Sequence, residues 1–319
     1  KEQTTSPATL FYMPQALRIL DSPQHSAAFG YLRKYCKDPD TLQQLLEFFG
    51  LPDIDMGAGL GLDDLEDTGD DMGLKPEGGD IAKLKNRFDG PQFRRNLVLA
   101  VGPIQQTTVK SALIALAADA ESPQVRTAAV TMLARHHKPS AEQIRNIFAT
   151  DQAAEVRKAA FAALVLLKQC EKADADKAAA DPAAEVRLAL ANALPDCPLA
   201  DEERRGLWLQ MLGDEAPEVR AACLNRLRTY TDLSPESDAA RPAVRDALQK
   251  GTPGEVLAAL RWIAATKTAG FEQLISPHIE AAEAAVRAAA ATALFDIDPE
   301  RVPELFDALQ DDRTAVVQR

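Results

Sequence analysis

Four cysteines and four histidines are the residues of this 319-residue chain best suited to hold a metal or attack a substrate. Their spacing argues against both uses. Cys36, Cys170, Cys197 and Cys223 form no C-x-x-C pair and fall on separate apolar-periodic segments, which fits neither a zinc cluster nor a dense disulfide framework; buried free thiols are expected. His136 and His137 are adjacent, so they point to different sides of a helix or lie in its last turn, and no H-E-x-x-H pattern occurs. The acidic stretch between residues 51 and 80 lacks the D-x-[DN]-x-[DN]-G spacing with a closing Glu that a calcium loop needs. No metal site, no catalytic residue and no cofactor is assigned.

The elements that would have to position any chemistry are helices. Hydrophobic residues make up 46% of the chain and aromatics only 5%, with abundant Ala, a composition suited to close-packed helices rather than strands. No apolar run reaches the roughly 18 residues of a membrane helix, so no membrane insertion is expected. The N-terminal KEQTTSPATL has no signal-peptide core; it also has no initiator Met, which leaves a removed signal or anchor open while cytoplasmic residence is weakly favoured.

Alignment on the dipeptide Val-Arg exposes a repeat. Strong copies stand at Val125-Arg126, Val156-Arg157, Val186-Arg187, Val219-Arg220 and Val286-Arg287, with weaker ones at Phe93-Arg94, Val256-Leu257 and Val316-Val317. The intervals are 32, 31, 30, 33, 37, 30 and 30 residues, the period of stacked helical hairpins. In EVRKAAFAALVLLK the positions Val156, Ala159, Ala160, Ala163, Leu164 and Leu167 form one apolar face, with small Ala residues that let helix axes approach. An Asp stands five residues before the aligned Val at Asp151, Asp181, Asp214 and Asp311, and six before it at Asp119, where it can serve the free amides of a helix start. Partner helices are expected from SAEQIRNIFAT, which opens with a Ser140–Gln143 capping box, from DEERRGLWLQML with Leu207, Met211 and Leu212 inward, and from DPERVPELFDAL. EKADADKAAA supplies the least amphipathic one.

These motifs, SPQVRTAAVTML, QAAEVRKAAFAAL, PAAEVRLALANAL, APEVRAACLNRL and AAVRAAAATAL, resemble the HEAT-repeat family, and in particular the short HEAT-like repeats of phycobilin lyases, over about residues 89 to 319. The resemblance implies an all-α fold, a right-handed α-solenoid of stacked helical hairpins. It also implies that Asp151, Asp181, Asp214, Arg126, Arg157, Arg187, Arg220 and Arg287 form a structural ladder through the stack.

The remainder of the chain divides around that array. Residues 1–50 are expected to form an N-terminal helical cap containing a degenerate repeat, with Pro23, Ala27, Ala28 and Leu32 but Ser26 in place of Arg. Residues 51–80 carry ten acidic residues and one Lys, a charge of −9 out of −12 for the chain, and read as an acidic Gly-rich loop able to meet Lys83, Lys85, Arg87, Arg94 and Arg95 and so to modulate access to that basic end. The array occupies 81–319, and DDRTAVVQR stops partway through a repeat helix, so a continuation or truncation is expected there.

An exposed row is expected six residues after each aligned Val, at Thr131, Ala162, Asn192, Asn225, Trp262 and Thr292. In the irregular copy, Leu257 replaces the Arg. Trp262 either offers a large contact beside Arg261 or fills a gap left by the irregularity, and Trp208 beside Arg204 and Arg205 has the same two readings. Candidate partner-binding residues are thus Trp262, Arg261, Asn192, Asn225, Trp208, Arg204 and Arg205. The leading expectation is a non-catalytic scaffold or adaptor that binds a protein partner of unknown identity. A HEAT-like lyase or cofactor chaperone is the first alternative, although the His-Glu pairs of HEAT-like hydroxylases are missing. Nucleic-acid binding through Arg204, Arg205, Arg226, Arg228 and Arg261 is the second, and a charge of −12 opposes it.

Overall fold

The computed structural model describes Leu32, residues 90–227 and residues 237–301. The acidic segment 51–80 and its basic neighbours up to Arg87, all of the N-terminal cap except Leu32, and the stretch with Asp311 and Val316 lie outside the described residues, as does Arg228. Leu32, expected to be apolar and helical, is helical and fully buried. Thirteen α-helices are delimited among the described residues, which contain no strand. The chain divides into two compact units, Lys1–Gln169 and Cys170–Arg319.

The first unit contains α1 (Pro91–Val101), α2 (Thr107–Asp119), α3 (Pro123–Met132), α4 (Ala141–Thr150) and α5 (Ala154–Leu166). Two hairpins, α2–α3 and α4–α5, pack so that α1, α3 and α5 stand side by side as one layer. Pro at the first turn of α1 and α3 removes a donor that the helix could not use. The expected capping box opens α4: Ser140 Oγ accepts from the Gln143 amide at 3.3 Å, and the Ser140 amide donates to Gln143 Oε1 at 3.2 Å. Between α3 and α4 the helix widens into a π turn, Leu133–His137, ending at Lys138 with φ 45°. His137 is buried there, its Nε2 2.6 Å from the Gly102 carbonyl oxygen.

The second unit contains α6 (Lys172–Ala179), α7 (Ala184–Ala193), α8 (Asp201–Met211), α9 (Pro217–Leu227), α10 (Ser237–Lys250), α11 (Pro253–Thr266), α12 (Glu272–Ile275) and α13 (Ala284–Ile297). Consecutive pairs form four hairpins, and α7, α9, α11 and α13 pack successively as the layer that carries the Val-Arg positions. The weakly amphipathic α6 is a helix of only eight residues, started by the Glu171 amide donating to Asp174 Oδ2 at 2.9 Å. Leu207, Met211 and Leu212 of the α8 region are buried as the spacing predicts.

Counted from the third residue of each Val-Arg helix, positions 0, 4 and 8 are buried in every copy. In α1 and α3 the buried positions are 0, 3, 4, 5, 7 and 8, beginning at Phe93 and at Val125. Position 4 is small in four of these helices, where Ala129, Ala160, Ala259 and Ala290 are fully buried. In α11 the same rule holds only if counting begins at Glu255, because this helix starts one residue earlier relative to its Val. Glu255, Ala258, Ala259, Leu260, Trp262 and Ile263 then occupy positions 0, 3, 4, 5, 7 and 8, and all are buried.

This offset corrects two expectations. Trp262 is at a core position and 3% exposed, so it packs inside the hairpin stack and offers no surface contact. The residue standing where Arg is found in the other copies is Val256, not Leu257. Trp208 is likewise a core residue, 1% exposed, where α8 turns its apolar face inward.

Candidate functional site

The Arg and Asp positions build rungs between neighbouring repeats. Arg126 Nη1 donates to the carbonyls of Ala120 and Glu121 in its own turn, at 2.6 and 3.1 Å, while Nε and Nη2 fork onto Asp151 of the next turn at 2.7 and 2.9 Å. Arg187 repeats this in the second unit: Nη1 bonds the Asp181 and Pro182 carbonyls, and the fork closes on Asp214 at 2.7 and 2.9 Å. Each Asp also ties its own turn, since Asp151, Asp181 and Asp214 accept from the amides of Ala153, Ala183 and Ala216, each at 2.8 Å. Arg157 and Arg287 hold their own turns in the same way, on the carbonyls of Asp151 and Gln152 and of Ala281 and Ala282. Arg220 does the same on the carbonyls of Asp214 and Glu215, so all eight residues brace turns.

The third rung is built differently. Arg220 Nε donates to Glu255 Oε1 at 2.7 Å, and this Glu stands at the core position where other helices carry Val. Its second oxygen accepts from the amide and hydroxyl of Thr252, closing a capping box. The T-x-x-E spacing of Thr252 and Glu255 was the sequence signal for both the early helix start and the relocated acid.

The exposed row is legible across the second unit once the α11 offset is applied. Asn192, Arg261 and Thr292 are exposed and Asn225 is half-buried, on α7, α11, α13 and α9 respectively. Asn192 and Asn225 line one groove of about 480 Å³ with Arg226, Ala221, Ala222 and Gly254. Arg261 and Thr292 line a smaller depression of about 230 Å³ between α11 and α13, floored by Ala264, Ala288 and Ala289. Asn192 donates to the Leu188 carbonyl at 3.0 Å, which leaves its Oδ1 available. Asn225 and Arg261 make no hydrogen bond or ion pair among the described residues. Residue reasoning missed the floor of small residues, which no single helix reveals because it forms only where two helices meet.

Arg204 and Arg205 belong to a different surface. Arg204 pairs with Asp201 and donates to the Cys197 carbonyl at 3.3 Å, and Arg205 stands 3.7 Å from Glu202, all local to the first turns of α8. They line neither groove. Cys170, Cys197 and Cys223 are buried free thiols, and burial first, with the Asp214 charge second, pushes the Cys223 thiol up to about 12. No group of three or more metal-ligating side chains occurs among the described residues. None of the described helices is long and apolar enough to cross a membrane.

Residues 81–165 match the family model of HEAT repeats. No curated protein sequence matches the chain. Among solved structures, YibA of Escherichia coli aligns with a TM-score of 0.54 at 15% identity, covering 92% of this chain and 98% of YibA, a likeness of fold alone. Human deoxyhypusine hydroxylase in complex with glycerol aligns over 90% of this chain and 100% of its own at 16% identity, with a TM-score of 0.31 that carries no argument. The matched segment, the hairpin stacking and the Asp–Arg rungs agree on one conclusion: residues 81–165 carry HEAT repeats, within an all-α solenoid of stacked helical hairpins.

Proposed function

We propose that the second unit binds an extended segment of a partner protein along the groove of α7, α9, α11 and α13, as a non-catalytic scaffold. The repeat-helical scaffold itself follows from the fold. The observation that carries the finer reading is the row Asn192, Asn225, Arg261 and Thr292, one residue from each of four neighbouring helices, above a floor of Ala. A carboxamide offers both a donor and an acceptor, the complement of a peptide group. Neighbouring helix axes lie about 8–10 Å apart, and an extended chain advances about 3.3 Å per residue, so one contact per helix meets about every third residue of a bound segment. Arg226 and Arg261 add positive charge to the groove of an otherwise acidic chain, and Glu218 at one wall opposes it. The favoured segment therefore carries acidic side chains at its Arg261 end.

The test compares the intact chain with an Asn225→Ala/Arg261→Glu variant in affinity capture from the native host, followed by binding measurements on the captured protein. Both substitutions lie on the exposed row, so the circular dichroism spectrum and melting temperature should not change. Affinity for a true groove partner should fall at least about tenfold, a loss of about 1.4 kcal/mol. Equal affinity for both forms, or retention of nucleic acid or a pigment instead of protein, would overturn the reading.

A further inference from the structure

Arg126, Arg187 and Arg220 occupy the same position of their helices, yet their guanidinium groups are not equally used. Arg126 and Arg187 engage Nη1 on their own turn and close a fork of Nε and Nη2 on one carboxylate. Arg220 engages Nη1 on the Asp214 and Glu215 carbonyls, at 2.6 and 2.9 Å, and Nε on Glu255 at 2.7 Å. Its Nη2 makes no hydrogen bond or ion pair among the described residues.

The cause lies in the turn before α11. The position two residues before the helix cap is Asp in the turns of Asp151, Asp181 and Asp214, but it is Lys250 here. Gly251 follows, and a Cβ on it would collide with the Ala247 carbonyl, so no side chain of this residue can reach back to the rung. Glu255 supplies the rung from the helix side instead, which leaves the turn side open. A cavity of about 310 Å³ is lined by Arg220 and Lys250 together with Leu212, Leu224, Ala243 and Ala247.

The carboxylates around the cavity are mostly committed. Asp214 is forked by Arg187, and Glu255 has one oxygen on Arg220 and the other on Thr252. Asp246, exposed on α10 one turn before Lys250, makes no hydrogen bond or ion pair among the described residues, and neither does Lys250. Two residues with an unengaged donor group, Arg220 with its Nη2 and Lys250 with its ammonium, thus line the cavity together with one unengaged carboxylate.

We propose that this cavity is a binding site for a carboxylate on a short aliphatic stem, which takes the place of the missing turn Asp. One oxygen accepts from Arg220 Nη2 and the other from Lys250, while the stem packs on Leu212 and Leu224. A guanidinium edge favours a carboxylate over other acceptors because the bond is charge-assisted and in plane. The carboxylate arrives either as a free short-chain acid or as a Glu side chain of a partner. The cavity shares no lining residue with the groove of Asn192 and Asn225, so the two assignments stand or fall separately.

The experiment labels the arginines of the intact chain with ¹⁵N and follows the Arg220 guanidinium by NMR during titration with butyrate. Butyramide and chloride at matched ionic strength serve as controls, and acetyl-Ala-Glu-Ala-amide forms a second arm. A saturable shift of Arg220 with butyrate, with the peptide or with both supports the site; saturation by butyrate alone identifies a free acid, and by the peptide alone a partner's Glu. Ala243→Leu fills the cavity without removing a bond to Arg220, and exposed Lys250→Gln removes the second positive charge. Each should weaken binding by at least about tenfold, with Lys250→Gln deciding the matter if the filled variant is poorly folded. A linear response, an equal response to butyramide, or an affinity unchanged in Lys250→Gln would overturn the proposal.

Discussion

Arg187 shows at the scale of one residue how the repeat holds its shape. Its side chain and that of Asp214 are each 7% exposed, and five hydrogen bonds from the one guanidinium join two turns. Removing one partner of such a pair leaves the other buried and uncompensated, so Arg187→Ala should cost about 3 kcal/mol, read from the shift of the urea unfolding midpoint. Arg187→Lys should recover only part of this, because an ammonium cannot reproduce the fork. The acids set the pH response. Burial opposes ionisation of Asp151, Asp214 and Glu255, yet the Arg hydrogen bonds, the local amides and the Arg charge outweigh it and hold all three below their ordinary values. The unfolded chain therefore binds more protons than the folded one below about pH 4. The stability contributed by the rungs should be complete above about pH 5 and fall as pH drops through the lowered folded values, and Asp214→Asn should flatten that fall. A urea midpoint that stays constant down to about pH 3 would contradict the assignment. The thiols make a further check: alkylation of native protein at about pH 8 should leave Cys170, Cys197 and Cys223 unmodified until the chain unfolds, since each is buried and only the thiolate reacts.

Helices show what a one-residue change of register does. In α11 the capping box of Thr252 and Glu255 starts the helix early, and every later side chain advances by one position. Trp262 thereby enters the core and Arg261 takes its place in the exposed row. The same offset puts Val256 where a ladder Arg would stand, and the turn before α13 has Ala281 where a ladder Asp would stand. This rung is thus missing on both sides, which avoids leaving one charge unpaired. Installing it should expose the register directly. A double-mutant cycle of Val256→Arg with Ala281→Asp should show favourable coupling of about 1–3 kcal/mol, even though Val256→Arg alone is destabilising. Leu257→Arg with Ala281→Asp should show none, and coupling there instead would restore the alignment that the Val-Leu dipeptide suggests. Close approach of the axes is the second property of these elements: Ala160→Leu adds bulk at a fully buried position 4 and should cost about 1–3 kcal/mol.

At the scale of the molecule, a stack of repeats is stabilised mainly between neighbours, and damage stays local. Arg187→Ala should therefore raise amide hydrogen exchange in α7 and α9 far more than in α1 to α3, as measured by mass spectrometry on the intact chain. Uniformly raised exchange would mean that the array unfolds as one cooperative body. Charge also acts at this scale. The chain carries −12 overall, yet Arg226, opposed by Glu218, lines the groove of Asn192 and Asn225, and Arg261 lines the Ala-floored depression between α11 and α13. Binding there should weaken as salt rises, because exposed charges are screened beyond about 8–10 Å.

The period, most helix starts and the recurring Arg and Asp positions were readable from the amino-acid order, because each depends on local spacing: a Val-Arg every thirty or so residues, an Asp before it, a Ser140–Gln143 box; the ladder role of those residues was implied by the resemblance to HEAT repeats. Of the expected row, Asn192 and Thr292 are exposed and Asn225 is half-buried, placements that follow from helical periodicity alone. Trp262 was misplaced because alignment on a dipeptide assumes one register, whereas the helix begins where its cap is satisfied, at Thr252. What only the tertiary structure decided depends on two elements at once. The small-residue floor between α7, α9 and α11, the replacement of a turn Asp by Glu255, and the unengaged Nη2 of Arg220 beside a cavity all arise where side chains distant in sequence meet, and no spacing along one helix encodes that.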